Sequence, residues 1–174
     1  MAWSQHATVN IATKAQLFAA LARVLRPGGR LAFHEVMAGS DTPVLFPVPW
    51  AAEGHLSVLS PPQGIRSLLA RAGWKEPASV DKTADALTFF RERLALAERP
   101  AEDLPALGLH LLLGDTFSAA FGNMVRNLKE RRITVVQAVR AALARRLGAQ
   151  TAGIHRVASR GPTARAAERR RAAR

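Results

Sequence analysis

The sequence predicts an α/β fold, on three observations. In "LARVLRPGGRLAFHEV" (residues 21–36) a helix tail, a Pro-Gly-Gly stop and a nearly all-apolar run follow directly on one another. A second helix-then-strand unit follows at 62–82, and a β-branched run at 133–139 comes after a helical region. Short apolar runs covered on both faces, separated by amphipathic helices, are the pattern of a largely parallel sheet between helix layers.

Each element has a local reason. Asn10 or Thr13 can cap a helix running to about Arg26, with Leu17, Leu21, Val24 and Leu25 forming one apolar stripe. Pro27 cannot continue that helix, and Gly28-Gly29 supply a left-handed cap and tight turn. "RLAFHEVMA" (30–38) then reads as a buried strand, which requires a preceding strand; Ala2-Trp3-Ser4-Gln5 is the stretch that can provide it. Residues 39–61, rich in proline, form a long loop after a strand's carboxyl end, the place where open α/β sheets bind ligands. Ser60 is positioned to cap the next helix, from Pro61/Pro62 to Arg71, with Ile65, Leu68 and Leu69 facing inward and Gly73 ending it. "WKEPASVDK" (74–82) is a weaker strand, and Pro77 places it near a sheet edge. Leu87, Phe90 and Leu94 mark an amphipathic helix over 84–97. "PALGLHLLLG" (105–114) is short and apolar, Asp115 or Thr116 caps the helix that follows, and Ile133–Val139 is strand-like.

Composition narrows the function. The 174 residues suffice for one domain with its own core. The formal charge of +12 suggests a nucleic-acid binder until it is mapped. From Arg140 onward ten Arg face a single acid, Glu168, whereas residues 1–139 carry a net charge of only +3. Basicity therefore belongs mainly to an Ala/Arg-rich tail, expected to be disordered, and contact with nucleic acid is expected to be non-specific and confined to it. Cysteine is absent, which excludes disulfides and thiolate metal sites. The five His show no ligand-like spacing with acidic residues, so no metal is expected. Neither a signal peptide nor a bilayer-spanning run is visible, and a soluble cytoplasmic protein without membrane contact is expected.

These residues resemble a known family. "LARVLRPGGRLAFHEV", with a Trp-bearing strand end before it and "LLARAGW" after it, is similar to the joint between the fourth helix and fifth strand of class I S-adenosylmethionine-dependent methyltransferases. Trp3-Ser4-Gln5-His6, the loop Phe46-Pro47-Val48-Pro49-Trp50-Ala51 and the ending "LGLHLLLG…VRNLKERRITVVQAV" look like the small-molecule branch containing sarcosine/dimethylglycine-type enzymes. The resemblance covers roughly residues 2–140. It implies a partial Rossmann-like methyltransferase sheet, strands four to seven, with added helices, in a domain over 1–140 followed by the tail at 141–174.

The resemblance also implies a function: methyl transfer from S-adenosylmethionine to a small-molecule acceptor, an amine in that branch. His6 and Gln5 become candidate catalytic residues beside the donor methyl, His6 as proton acceptor. Trp3 and Ser4 become candidate cofactor contacts. Glu35, Trp50 and His110 become candidate substrate contacts. Glu35 can instead serve as a structural hydrogen-bond acceptor, Trp50 can cover a cationic amine or simply anchor its loop, and His110 can be packing. His34 reads as an interior histidine. The chain departs from the family in having no Gly-x-Gly at all. It is accordingly expected to be the carboxyl-terminal half of such a domain, inactive alone for want of the donor site. The competing expectations are a nucleic-acid-associated protein acting through the Arg-rich tail, and a non-catalytic partner that completes a split enzyme.

Overall fold

In the computed structural model, strand β1 (Ala2–Gln5) runs parallel to β2 (Arg30–Ala38), and helix α1 (Lys14–Val24) connects them. The structure describes residues 1–40, 42–97 and 107–143. Helix α2 (Pro62–Arg71) leads to β3 (Trp74–Asp81), and α3 (Thr83–Ala97), α4 (Leu109–Leu113) and α5 (Phe117–Lys129) precede β4 (Ile133–Ala142). The sheet order is β1-β2-β4-β3: the last strand inserts antiparallel between β2 and β3. This is the α/β sheet the sequence predicts, with β3 at an edge. The ladder shifts register between Lys75 and Ala78, on either side of Pro77.

Strand alternation sorts the core into two layers. Leu31, Phe33 and Met37 of β2 pack with Phe18 of α1, Ile65 and Leu69 of α2, and Trp74. Val36 of β2 and Val135 of β4 face the other way, onto Met124 and Leu128 of α5, with Phe90 of α3 against the same cluster. Helices thus cover both faces, and about two thirds of the positions in β2 and β4 are apolar. Burying Leu31, Phe33, Leu69 or Phe121, each 4% exposed or less, contributes about 1.5–3 kcal/mol apiece.

The Pro27-Gly28-Gly29 joint behaves as its composition requires. Gly28 has φ 74°, the left-handed region. A Cβ on Gly29 would lie 2.7 Å from the Arg26 carbonyl oxygen. The turn is clipped to the end of β4, with Gly28 N–H donating to Ala142 O (3.1 Å) and Ala142 N–H donating to Gly29 O (2.8 Å).

Several local expectations are corrected. In α1 Lys14 and Phe18 are the buried residues; Leu17, Leu21 and Leu25 of the expected stripe pack against the same core, while Val24 is 64% exposed and falls outside it. Asn10 caps no helix; its amide donates to Trp50 O (3.0 Å) and Leu56 O (2.7 Å), tying the long loop down. Pro61, not Ser60, stands at the N-cap of α2, because Ser60 O is engaged by Ala38 N–H (3.1 Å). Strand β4 runs to Ala142, three residues past the expected strand end at Val139. Arg140, counted above with the tail, is 3% exposed within β4, its guanidinium 5.4 Å from the centre of the Phe33 ring. The disorder expected of the tail concerns residues that lie, from 144 onward, outside those described. Among the described residues no helix is long and apolar enough to cross a membrane.

Candidate active site

A cavity of about 650 Å³ opens beside the carboxyl ends of β1 and β2. Its floor is the sheet face bearing His34, Val36 and Val135. The walls come from α3, α5, Leu109 of α4, and Pro49-Trp50 of the long loop. Gln5 and His6 line it from the end of β1. A site at the carboxyl end of parallel strands is where this class of sheet leaves room for a ligand, since the chain must turn away there.

His6 is the most constrained of these residues. Its φ is 49°, an uncommon conformation for a side chain with a Cβ. The surroundings over-determine it: His6 N–H donates to His34 O (2.9 Å), and the next two residues are held by Glu35. The His6 and His34 rings meet edge to face, with centroids 5.1 Å apart. Desolvation by the surrounding wall and, secondly, the proximity of His34 lower the His6 pKa below 6.5; Glu35 opposes the shift without reversing it. A neutral imidazole at pH 7 can accept a proton.

Glu35 is 2% exposed and lies on the opposite sheet face from His34 and Val36, as alternation along β2 demands. Its carboxylate accepts from Ser4 Oγ (2.6 Å), Ala7 N–H (3.3 Å), Thr8 N–H (3.2 Å) and Thr8 Oγ1 (3.1 Å). Lys14, 4% exposed on the same side, donates to Ile11 O (2.6 Å) and Val58 O. Desolvation lowers the Lys14 pKa, with the charge of Glu35 acting in the opposite sense. Together these groups fasten residues 4–11 to β2 and to the loop.

Of the residues proposed from sequence, Gln5, His6 and Trp50 meet at the cavity. Trp50 donates its Nε1–H to Ser57 Oγ (3.0 Å), leaving ring carbons for the wall. Ser4 is committed to Glu35 on the far face. Trp3 is 59% exposed and does not line the cavity. His110 stacks edge-on against Phe117 at 6.0 Å, while its neighbour Leu109 reaches the lining. Sequence reasoning missed His34, which strand parity with Val36 could have found. It also missed Lys82 and Asp85, which line one side as a pair 2.7 Å apart.

No Gly-x-Gly stands in the sequence, Glu35 is spent on backbone and hydroxyl groups, and Asp85 is bonded to Lys82.

No protein-family model and no curated protein matches the chain. Solved structures do. A protein assigned as a sarcosine dimethylglycine methyltransferase from Galdieria sulphuraria superposes with TM-score 0.61 at 16% identity, covering 81% of this chain and 52% of that one. Geranyl diphosphate C-methyltransferase from Streptomyces coelicolor A3(2), bound to Mg2+, geranyl diphosphate and S-adenosyl-L-homocysteine, gives 0.58 at 14%, covering 81% and 46%. Phosphoethanolamine N-methyltransferase 2 from Haemonchus contortus, bound to S-adenosyl-L-methionine, gives 0.57 at 14%, covering 81% and 32%. The chain thus spans about half the length of these proteins or less. Over that part, its fold is the fold of the S-adenosylmethionine-dependent methyltransferases.

Proposed function

We propose that this chain forms the acceptor side of an S-adenosylmethionine-dependent methyl transfer to a small molecule. The observation that carries the reading is the cavity at the carboxyl ends of two parallel strands, with His6 at its edge, in a fold shared with such enzymes. Bound S-adenosylmethionine supplies an electrophilic methyl group on a sulfonium. The chain's own residues do the rest on the acceptor side. His6 takes the proton from the acceptor's nucleophilic atom, Gln5 orients that atom by hydrogen bonding, and Trp50 with the helix walls excludes water. Glu35 acts at one remove, by fixing the backbone that aims His6.

On this reading the chain alone does not bind the donor. Calorimetric titration with S-adenosylmethionine is expected to show no micromolar binding; micromolar affinity would overturn the division of labour. In any longer polypeptide that joins this chain to a donor site, label from S-adenosylmethionine is expected in an extractable small molecule. His6→Ala there lowers kcat about 10²–10⁴-fold. Transfer of label to nucleic acid or protein, or a rate indifferent to that substitution, would refute the proposal.

A further inference from the structure

Resting on the acceptor-side reading of the cavity, we propose that its ligand is an uncharged, largely apolar molecule with one polar end, directed at His6 and His34, and not a small ammonium compound. The wall chemistry points there. Val36, Val135, Phe89, Phe90 and Met124 present hydrocarbon, and the volume of about 650 Å³ exceeds what a compact amino acid would fill. It falls within the range, about 300–1,000 Å³, of pockets that enclose drug-sized ligands.

Charge argues the same way. Among the described lining residues Asp85 is the only carboxylate, and it is paired with Lys82 at 2.7 Å, so the pair offers a cation no net attraction. Phe89 already carries a cation, with the Arg93 guanidinium carbon 5.1 Å from its ring centre. An ammonium group entering this space would lose its hydration and meet no unpaired carboxylate among the described lining residues. An apolar body loses nothing by the exchange, since the walls it covers are themselves removed from water. The polar groups gather at the strand ends, Gln5, His6 and His34, and there a single hydroxyl finds hydrogen-bond partners.

Equilibrium dialysis of the full chain against 4-octylphenol and against dimethylglycine, both without S-adenosylmethionine, tests this. Saturable binding of one equivalent of the phenol is expected, at least 100-fold tighter than dimethylglycine. Phe89→Ala should weaken the phenol at least fivefold; Phe89 is 46% exposed, so its loss leaves the core intact. Lys82→Gln, which releases Asp85, should narrow the preference over dimethylglycine. Tighter binding of dimethylglycine, no saturable phenol site, or phenol binding unmoved by Phe89→Ala would each overturn the proposal. The two readings fail separately. Phenol binding without methyl transfer in a donor-containing polypeptide would sink the methyltransferase reading alone, whereas transfer to the deprotonated nitrogen of a small amine would sink this one.

Discussion

Glu35 shows how one residue sets the site without entering it. Four donors converge on its buried carboxylate, two of them backbone N–H groups of residues 7 and 8. Glu35→Ala strands those donors in a dry environment and should cost about 3 kcal/mol or more, read as a lower urea midpoint. Glu35→Gln keeps the shape, loses the charge-assisted bonds, and should cost roughly half as much. In both variants the His6 imidazole resonances are expected to shift, since the backbone that holds them loosens; unchanged His6 signals would separate the stability role from the positioning role. His6 itself brings a pH dependence. Its folded pKa lies below its unfolded value, so the unfolded chain binds the proton more readily. This contribution to stability is therefore complete above pH 6.5 and is lost as pH falls through the lowered folded value. His6→Gln should flatten that part of the stability profile, and a profile unchanged by the substitution would contradict the assignment. The place of His6 at the cavity was legible from its position after a strand end. The side to which Glu35 points was legible too, through alternation, but only once the register of β2 is fixed by its partners.

At the scale of elements, loops are held by particular polar side chains that composition does not single out. Asn127, 0% exposed in α5, donates to Leu45 O and accepts from Leu45 N–H, both at 2.9 Å. Neighbouring Asn123 donates to Pro47 O (3.0 Å). These bonds seat the 39–61 loop so that Trp50 faces the cavity. Asn127→Ala should cost about 2 kcal/mol and blunt any ligand-induced change in Trp50 fluorescence, because two half-buried backbone groups of Leu45 lose their partners. Glycine positions give a graded test of the joints. Gly28→Ala meets open space but a positive φ, for about 1 kcal/mol. Gly39→Ala would place a Cβ 2.1 Å from the Arg131 carbonyl oxygen, which only backbone movement can relieve. Thermal unfolding should rank Gly39→Ala well below Gly28→Ala, and the reverse order would contradict this packing. Helices, strands and the Pro-Gly-Gly stop were legible because they rest on neighbours in sequence. Of the expected N-caps, Thr13 and Thr116 stand where the sequence placed them, whereas Ser60 and Asn10 found partners far along the chain.

The whole molecule joins a nearly neutral folded body to a strongly basic tail. If basicity resides in the tail, deleting residues 145–174 should abolish salt-sensitive retention on nucleic acid, while leaving ligand binding at the cavity unchanged. Retention that survives deletion would relocate that affinity to the body. The sequence by itself determined the alternation of helices and strands, the turn at Gly28 and the presence of a strand-end histidine, because these follow from periodicity, φ preference and local chain stops. Only the tertiary structure decided which residues share the site. Sheet order inserts β4 between β2 and β3, strand parity sends Glu35 away from the cavity and His34 toward it, and α3 with α5 closes an apolar wall over the floor. Such juxtapositions depend on contacts between residues more than a hundred positions apart, which no local pattern encodes.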